Sequence, residues 1–439
     1  MSFFATVVGI IDSDFLVWDN NIVRHVSIIY NNKKSRNPFT SFILYLRDCL
    51  VYFLPINKLP SLFRIMLYGD LSYVFFIHPR RSEDYFLGLP FLSIFRKLIP
   101  KRAFIGLASK LPPAVISNID HKDANGVVMS SLILPELLMK NRKQALSSAV
   151  KAIRFANKIT QDKCIIGLGA WWPIISNRGI KLHNIINDNN IIITNGHMGT
   201  LLSIYSMIVK ISNISNINMS KLKICIIGAG KMGTNVATIL YGKVNTISLL
   251  DIQKKNIDLL INNLNNIDTS MSTIITSHTI NNNTSIRDIL NHYHLGVCVT
   301  SNLKVIIKND DLPNNFIVID DSRPEAISRK SSSNRNIIIE GGLMKILNSK
   351  TNYDYGFGID QNVFGCLAET YALAIDKKGI LQPSLGNVDN NQFDDVLHFY
   401  HNNGIEVGDF KTGDRTINQD MIISFMKHRD KIMNRIEAT

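Results

Sequence analysis

The stretch from Lys223 to Leu240, Lys-Ile-Cys-Ile-Ile-Gly-Ala-Gly-Lys-Met-Gly-Thr-Asn-Val-Ala-Thr-Ile-Leu, constrains this chain most. In it an apolar run turns through Gly228, Gly230 and Gly233 into a helical pattern. Each glycine answers a different demand. Gly228 permits a tight turn, Gly230 lets the backbone approach a pyrophosphate, and Gly233 lets helix and strand pack closely. The helix start then offers unpaired N–H groups to the phosphates. Three glycines alone can merely shape a βα turn, but the context adds to them. Val244 to Leu250 reads as a second strand ending in Asp251, 23 residues after Gly228, where a carboxylate can hold a ribose diol. The expected dinucleotide contacts therefore include Gly228, Ala229, Gly230, Lys231, Met232, Gly233 and Asp251.

Strands alternate with helices beyond this fingerprint. Strands are expected at 244–250, 273–276, 295–300, 316–320 and 336–340, and helices near 231–241, 253–265 and 284–292. That alternation predicts a Rossmann-type α/β fold with a doubly wound parallel sheet. Ligands sit at the carboxyl ends of such strands, so the turns at Thr300, Ser301 and Asn302, and after Asp320, are expected to border the nicotinamide.

With 439 residues the chain exceeds one ordinary domain. The expected division is an N-terminal α/β substrate domain over 1–215, the nucleotide domain over 216–345, and a C-terminal helical segment over 346–439. The asparagine-rich stretch from Ser212 to Ser220 reads as the linker between the first two.

In the N-terminal part, residues 1 to about 30 read as two strands. Residues 41–69 are strongly apolar, but Arg47, Asp48, Lys58 and Arg64 interrupt them and Pro55 and Pro60 break any helix, so no span long enough to cross a bilayer exists. That segment suits a membrane interface, the wall of an acyl pocket, or a buried helix pair. Tyr73–His78 is a short strand whose terminal histidine has a plain structural reading. Gly126–Leu134 reads as a strand, followed by a helix from Pro135 to about Lys158. Cys164 to Pro173 is a strand entering the Gly167-Leu-Gly169 turn, which lacks a third glycine and reads as a loop that exposes backbone to substrate or nicotinamide. Ile191 to Thr200 repeats the design, with a helix from Leu201 to about Lys210.

Lys and Arg number 48 against 35 Asp and Glu, a net charge of +13. This favours an acidic partner, although a solvated basic surface has the same composition. The basic clusters are short and scattered, so nucleic acid is not expected. Five widely spaced cysteines form no disulfide or zinc pattern. No metal is expected, and a reducing cytoplasmic setting fits, with association at a membrane surface left open. The N-terminus lacks a basic leader and a cleavage site, so no signal peptide is expected.

The chemistry candidate is Asp360 to Ile375, a helical pattern with Asp360 as the expected N-cap and Gly379 as its stop. On this reading Cys366 falls in the second turn, with Glu369 and Thr370 on its face. A nucleotide sheet followed by a cysteine helix suggests a thiolate that attacks an acyl carbon, with hydride reduction of the resulting thioester. A lone cysteine among Phe364, Leu367 and Ala368 is also an ordinary small core residue. Because the helix dipole fades beyond the first turn, a thiolate there would need a nearby cation.

Several segments, taken in order, resemble the long-chain acyl-(acyl-carrier-protein) reductases that form fatty aldehydes. They are Leu134-Pro-Glu-Leu-Leu138, Ile166-Gly-Leu-Gly169, Thr194-Asn-Gly-His197, the glycine fingerprint, Val318-Ile-Asp320, Glu340-Gly-Gly342 and Phe364-Gly-Cys-Leu-Ala-Glu369. The likeness runs from about His78 to Asp376 and rests on order and spacing. It implies that Cys366 is the nucleophile, that it displaces a carrier's thiol, and that NADH or NADPH reduces the acyl-enzyme to an aldehyde. It also implies acyl carrier protein, or acyl-CoA, as the donor. The acid that protonates the departing thiol is expected to be His197, with Glu369 second, although either can equally orient its loop or helix. Family members use NADPH with a basic residue after the second strand. This chain has Asp251 there, and a carboxylate repels a 2′-phosphate, which favours NADH unless Lys254 and Lys255 compensate.

Two other readings remain. The turns after the later strands are also similar to those of shikimate dehydrogenase and glutamyl-tRNA reductase sheets. An alcohol or shikimate-type dehydrogenase without covalent catalysis is therefore the alternative. The other is a nucleotide-sensing module docked through residues 41–69.

Overall fold

The computed structural model describes residues 37–161, 163–267, 272–281, 284–301, 306–322, 325–329, 336–351 and 353–437. The strands expected before residue 30, Asn302 of the expected turn, and the serine-rich loop at 331–334 lie outside them.

Two helices, α1 (Pro38–Phe53) and α2 (Ser61–Tyr68), lead into β1 (Leu71–Ile77), β2 (Ala114–Asp120) and β3 (Asn125–Ser130). Next come α3 (Arg142–Ile159), β4 (Cys164–Leu168), β5 (Ile191–Thr194) and α4 (His197–Ser215). The nucleotide lobe follows as β6 (Lys223–Ile227), α5 (Lys231–Leu240), β7 (Thr246–Asp251), α6 (Lys254–Asn265), β8 (Ile274–Thr279), β9 (Leu295–Cys298), β10 (Ile317–Asp320) and β11 (Ile337–Glu340). The remainder is β12 (Leu343–Ile346), β13 (Lys350–Thr351), β14 (Asn362–Phe364), α7 (Gly365–Ile375), α8 (Phe393–Asn402), β15 (Ile405–Val407) and α9 (Gln419–Glu437).

The second lobe is the expected doubly wound sheet, ordered β11-β10-β9-β6-β7-β8 with every neighbour parallel. Both faces of its central strands are covered, so these are unbroken apolar runs: Ile224 to Ile227 and Ile317 to Ile319 are fully buried. The order reverses between β6 and β9, the switch point where such folds open a crevice. The first sheet is β13-β2-β3-β1-β4-β5, parallel from β3 to β5 with β2 and β13 antiparallel at one edge.

Local chemistry moved several boundaries. The expected helix from Pro135 to Lys158 breaks at Asn141, which adopts φ −137° and ψ 74° and caps the next helix through Gln144 N. Helix α4 begins at His197 and runs to Ser215, into the expected linker. After residue 346 the chain is not helical alone: β12 pairs with β14 and β15, and β13 crosses to the first sheet. Asp360 is not an N-cap. Its carboxylate accepts from Asn362 N at 2.7 Å and pairs with Lys411, while residues 362–364 are held extended by β12, so α7 cannot start before Gly365.

One side chain ties the C-terminal helix to the nucleotide sheet. Arg429 of α9, 1% exposed, lies over the Phe316 ring and donates to the carbonyls of Leu290, Asn291 and Tyr293 at 2.5–3.2 Å. An Arg429→Met variant leaves three inward-facing carbonyls without that donor and is expected to lose about 2–4 kcal/mol of unfolding free energy. Urea denaturation followed by tryptophan fluorescence measures this; a loss within experimental error means α9 is held by its apolar face alone.

Candidate active site

The glycine turn fits a dinucleotide. Gly228 has φ +106°, and a Cβ there would meet the Val299 carbonyl oxygen at 3.1 Å. A Cβ on Gly233 would overlap the Gly228 carbonyl oxygen at 1.8 Å, so only glycine allows α5 to rise so close to β6. A Cβ on Gly230 would meet nothing within 4 Å, which leaves open space beside the start of α5, the place the fold reserves for pyrophosphate. Lys231 and Met232 form the first turn of that helix. Asp251 closes the arrangement: its carboxylate accepts from Ala229 N at 2.8 Å and from Gln253 N at 2.8 Å.

The later strand ends behave differently. Asp320 is fully buried, with its carboxylate turned onto Ser322 N at 3.0 Å and Ile327 N at 3.3 Å. It shapes the loop after β10. Thr300 N donates to Ser322 Oγ at 3.1 Å, while Ser301 beside it is exposed. The Gly167-Leu-Gly169 turn likewise exists for packing. A Cβ at Gly167 would meet Thr370 Oγ1 of α7 at 1.8 Å, and one at Gly169 would meet the Phe75 ring at 2.6 Å. His78 is structural: burial pushes its imidazole down to about 4, its Nδ1 faces the Pro79 carbonyl at 2.9 Å, and its Nε2 accepts from Trp171 N at 3.0 Å.

The motifs Thr194-Asn-Gly-His197 and Phe364-Gly-Cys366 meet where α4 crosses α7. A Cβ on Gly196 (φ +72°) would sit 2.1 Å from Cys366 Cβ, and one on Gly199 would sit 2.0 Å from the Gly365 carbonyl oxygen. A Cβ on Gly365 would in turn sit 2.4 Å from the Gly199 carbonyl oxygen. Cys366 therefore lies in the first turn of α7, half-buried, against the residue that precedes His197. Gly365 N donates to the Gly342 carbonyl just beyond β11, so the cysteine hangs from the carboxyl edge of the nucleotide sheet.

Burial pushes the Cys366 thiol up to about 12, the nearby Asp321 and Glu369 carboxylates push the same way, and the Leu367 and Cys366 N–H groups at the helix start only partly offset them. At neutral pH the free residue is a thiol. Burial and the Arg178 guanidinium hold the His197 imidazole down to about 4, so it is a neutral base at the same pH.

Glu369 is held on backbone and hydroxyl donors. It is 3% exposed and accepts from Gly199 N at 2.9 Å, from Ser384 N at 3.0 Å and from the Thr194 hydroxyl. With Asn195 Oδ1 on His197 N and Ser384 Oγ on Met198 N, it completes the capping of α4. These groups come from three separate stretches of the chain, 194–199, Glu369 and Ser384, so no sequence spacing announced them. Among the described residues no group of three His, Cys, Asp or Glu side chains assembles to hold a metal.

No family model and no curated protein matches the chain. Solved structures do. The nucleotide-binding domain of glutamyl-tRNA reductase from Thermoplasma volcanium aligns at 17% identity over 31% of this chain and 84% of that one, with a TM-score of 0.23. A transhydrogenase from Sinorhizobium meliloti aligns at 8% identity over 42% of this chain, with a TM-score of 0.25, and the match spans only 59% of that protein. L-tryptophan dehydrogenase from Nostoc punctiforme aligns at 11% identity over 84% of this chain and 90% of that one, with a TM-score of 0.33.

If Glu369 holds the crossing together, Glu369→Gln, which sets an amide NH₂ against one of three inward donors, lowers unfolding free energy by about 2–3 kcal/mol. A variant as stable as the parent in urea, yet inactive, would instead make Glu369 a proton carrier.

Proposed function

We propose that this protein is an NAD(P)H-dependent reductase that converts a long-chain acyl thioester into a fatty aldehyde through an acyl-Cys366 intermediate. The observation that carries the reading is the helix crossing: Cys366 opens α7 against Gly196, next to a neutral His197, at the carboxyl edge of a nucleotide-binding sheet. The order of motifs shared with the acyl reductases supports the same chemistry.

In this reading the Cys366 sulfur attacks the acyl carbon as its proton passes to the His197 imidazole, which is unprotonated above pH 4 and able to take it. The carrier's thiolate departs with that proton, leaving the acyl group on Cys366. The dinucleotide, when bound, supplies the hydride that releases the aldehyde. The Leu367 and Cys366 N–H groups favour negative charge on sulfur at the departure step. The net charge of +13 suits an acidic donor such as acyl carrier protein, although acyl-CoA carries the same thioester. A second reading, an alcohol dehydrogenase with Cys366 as a core residue, draws on the thiol's high pKa.

Intact mass after incubation with a long-chain acyl thioester decides between them. The parent is expected to gain one acyl group and Cys366→Ala none, with aldehyde formation falling by at least ~10³-fold; oxidation or reduction unaffected by the substitution supports the second reading. Because the free thiol ionises near pH 12, its alkylation by iodoacetamide is expected to rise about tenfold per unit from pH 6 to pH 9 without a plateau. A plateau with a midpoint near 7 would mean that sulfur and imidazole already share a proton.

For the cofactor, a fixed Asp251 carboxylate repels a 2′-phosphate, and Lys254 and Lys255 are exposed. Fluorescence titration is expected to show NADH binding about tenfold or more tighter than NADPH, with Asp251→Ser narrowing the gap. A preference for NADPH in the parent refutes the assignment.

A further inference from the structure

Helices α1 and α2 are built inside out. A surface helix ordinarily turns its apolar stripe to the core and its polar residues to water. On α1 the stripe Phe39, Ile43, Leu46, Leu50 and Phe53, spaced four, three, four and three residues apart, faces outward, with Phe39 71% and Phe53 70% exposed. Ser41, Tyr45 and Asp48 of the same helix are buried. The inward carboxylate is fully used: Asp48 accepts from Arg47, from the Tyr68 hydroxyl at 3.1 Å and from Val115 N at 2.8 Å. Asp48 and Ser41, with Tyr45 and Val51, thus anchor α1, and its outward apolar stripe is left over. Helix α2 repeats the inversion, with Leu62, Phe63 and Met66 exposed and Arg64 buried.

The helices that carry these exposed residues are packed on one another. The Arg47 guanidinium lies 4.0 Å from the Tyr68 ring centre, joining α1 to α2. Phe42 packs on Phe91 at 5.4 Å and Phe91 on Phe95 at 6.2 Å, joining α1 to the short helix Leu92–Leu98, where Ile94, Phe95 and Leu98 are exposed as well. Scattered exposed hydrophobics need no explanation, but exposed apolar residues gathered on three packed helices mark an interaction surface.

Charge selects the occupant. From Phe86 to Ile119 the sequence holds Arg96, Lys97, Lys101, Arg102 and Lys110 and no Asp or Glu. Of these Lys97, Lys101, Arg102 and Lys110 are exposed, Lys101 pairing with Glu83 at 3.5 Å. A second copy of this chain would bring those cations against each other, whereas an anionic lipid surface receives apolar side chains into its acyl boundary and pairs the cations with its headgroups. No described helix is long and apolar enough to cross a membrane, so the contact is in the plane of the surface. We propose that this face docks the protein on bilayers rich in anionic lipid. The proposal goes beyond the reductase reading and does not depend on it.

Cosedimentation of the full chain with phosphatidylcholine vesicles, with and without phosphatidylglycerol, tests it. Binding is expected with the anionic vesicles, falling as salt rises. The paired change Leu50→Glu with Phe53→Glu is expected to weaken it about tenfold or more, and Lys97→Glu with Arg102→Glu, which leaves the apolar stripe intact, to weaken it as well. Both variants are checked for parent-like circular dichroism and nucleotide binding. The proposal is overturned by absence of binding to either vesicle, by equal binding to both that ignores the substitutions, or by a solution dimer that the Leu50 and Phe53 changes dissociate.

Discussion

Two helix starts cross here with almost no side chain between them, and the rest of the site depends on that contact. Gly196, Gly199 and Gly365 bring the backbones of α4 and α7 so close that a single methyl group at any of the three would overlap the opposing chain. Close packing tolerates no such intrusion. The crossing turns two motifs about 170 residues apart into one place, since Thr194 and Gly199 both reach Glu369 across a sequence separation of 175 and 170 residues.

Both helices present an N-terminus to the same small volume, yet the protein treats them differently. The N–H groups that open α4 are taken by Asn195, Ser384 and Glu369, so its partial positive end is internally neutralised. At the start of α7 the polar occupant is the Cys366 sulfur. Burial, with the carboxylates of Asp321 and of Glu369, which caps the neighbouring helix, keeps that thiol protonated in the resting protein. A thiol is far less open to oxidation and stray alkylation than a thiolate. Burial and the Arg178 guanidinium likewise keep the His197 imidazole, next to Gly196, neutral.

What could be read from sequence was local. The glycine turn, its strands and Asp251 announce themselves because each demand is met within a few residues of its neighbour, and the strand runs of the nucleotide sheet were legible for the same reason. The start of α7 was not, because the register of β14 on β12 decides it and that pairing is remote in sequence. Glu369 was readable as a carboxylate near a cysteine but not as a helix cap, since its donors come from elsewhere in the chain. Asp320 sits at a strand end like a ligand-binding residue, and only the fold of the following loop shows that it points inward. The apolar content of residues 41–69 was evident, whereas the direction of each face was set by Asp48 and Arg64 turning inward.

The two sheets converge on this crossing. In the first, β5 ends at Thr194 and the chain passes directly into α4. In the second, β11 ends at Glu340, Gly342 accepts from Gly365 N, and β12 returns to pair with β14 immediately before α7. Asp321, next to the end of β10, lies close enough to raise the Cys366 thiol, and its own N–H donates to Cys298 at the end of β9. β9 in turn is the neighbour of β6, whose turn carries the glycines. Carboxyl ends of parallel strands from two separately wound sheets thus border one sulfur. Because open α/β sheets bind ligands at such strand ends, the convergence places this sulfur beside the crevice of the nucleotide sheet.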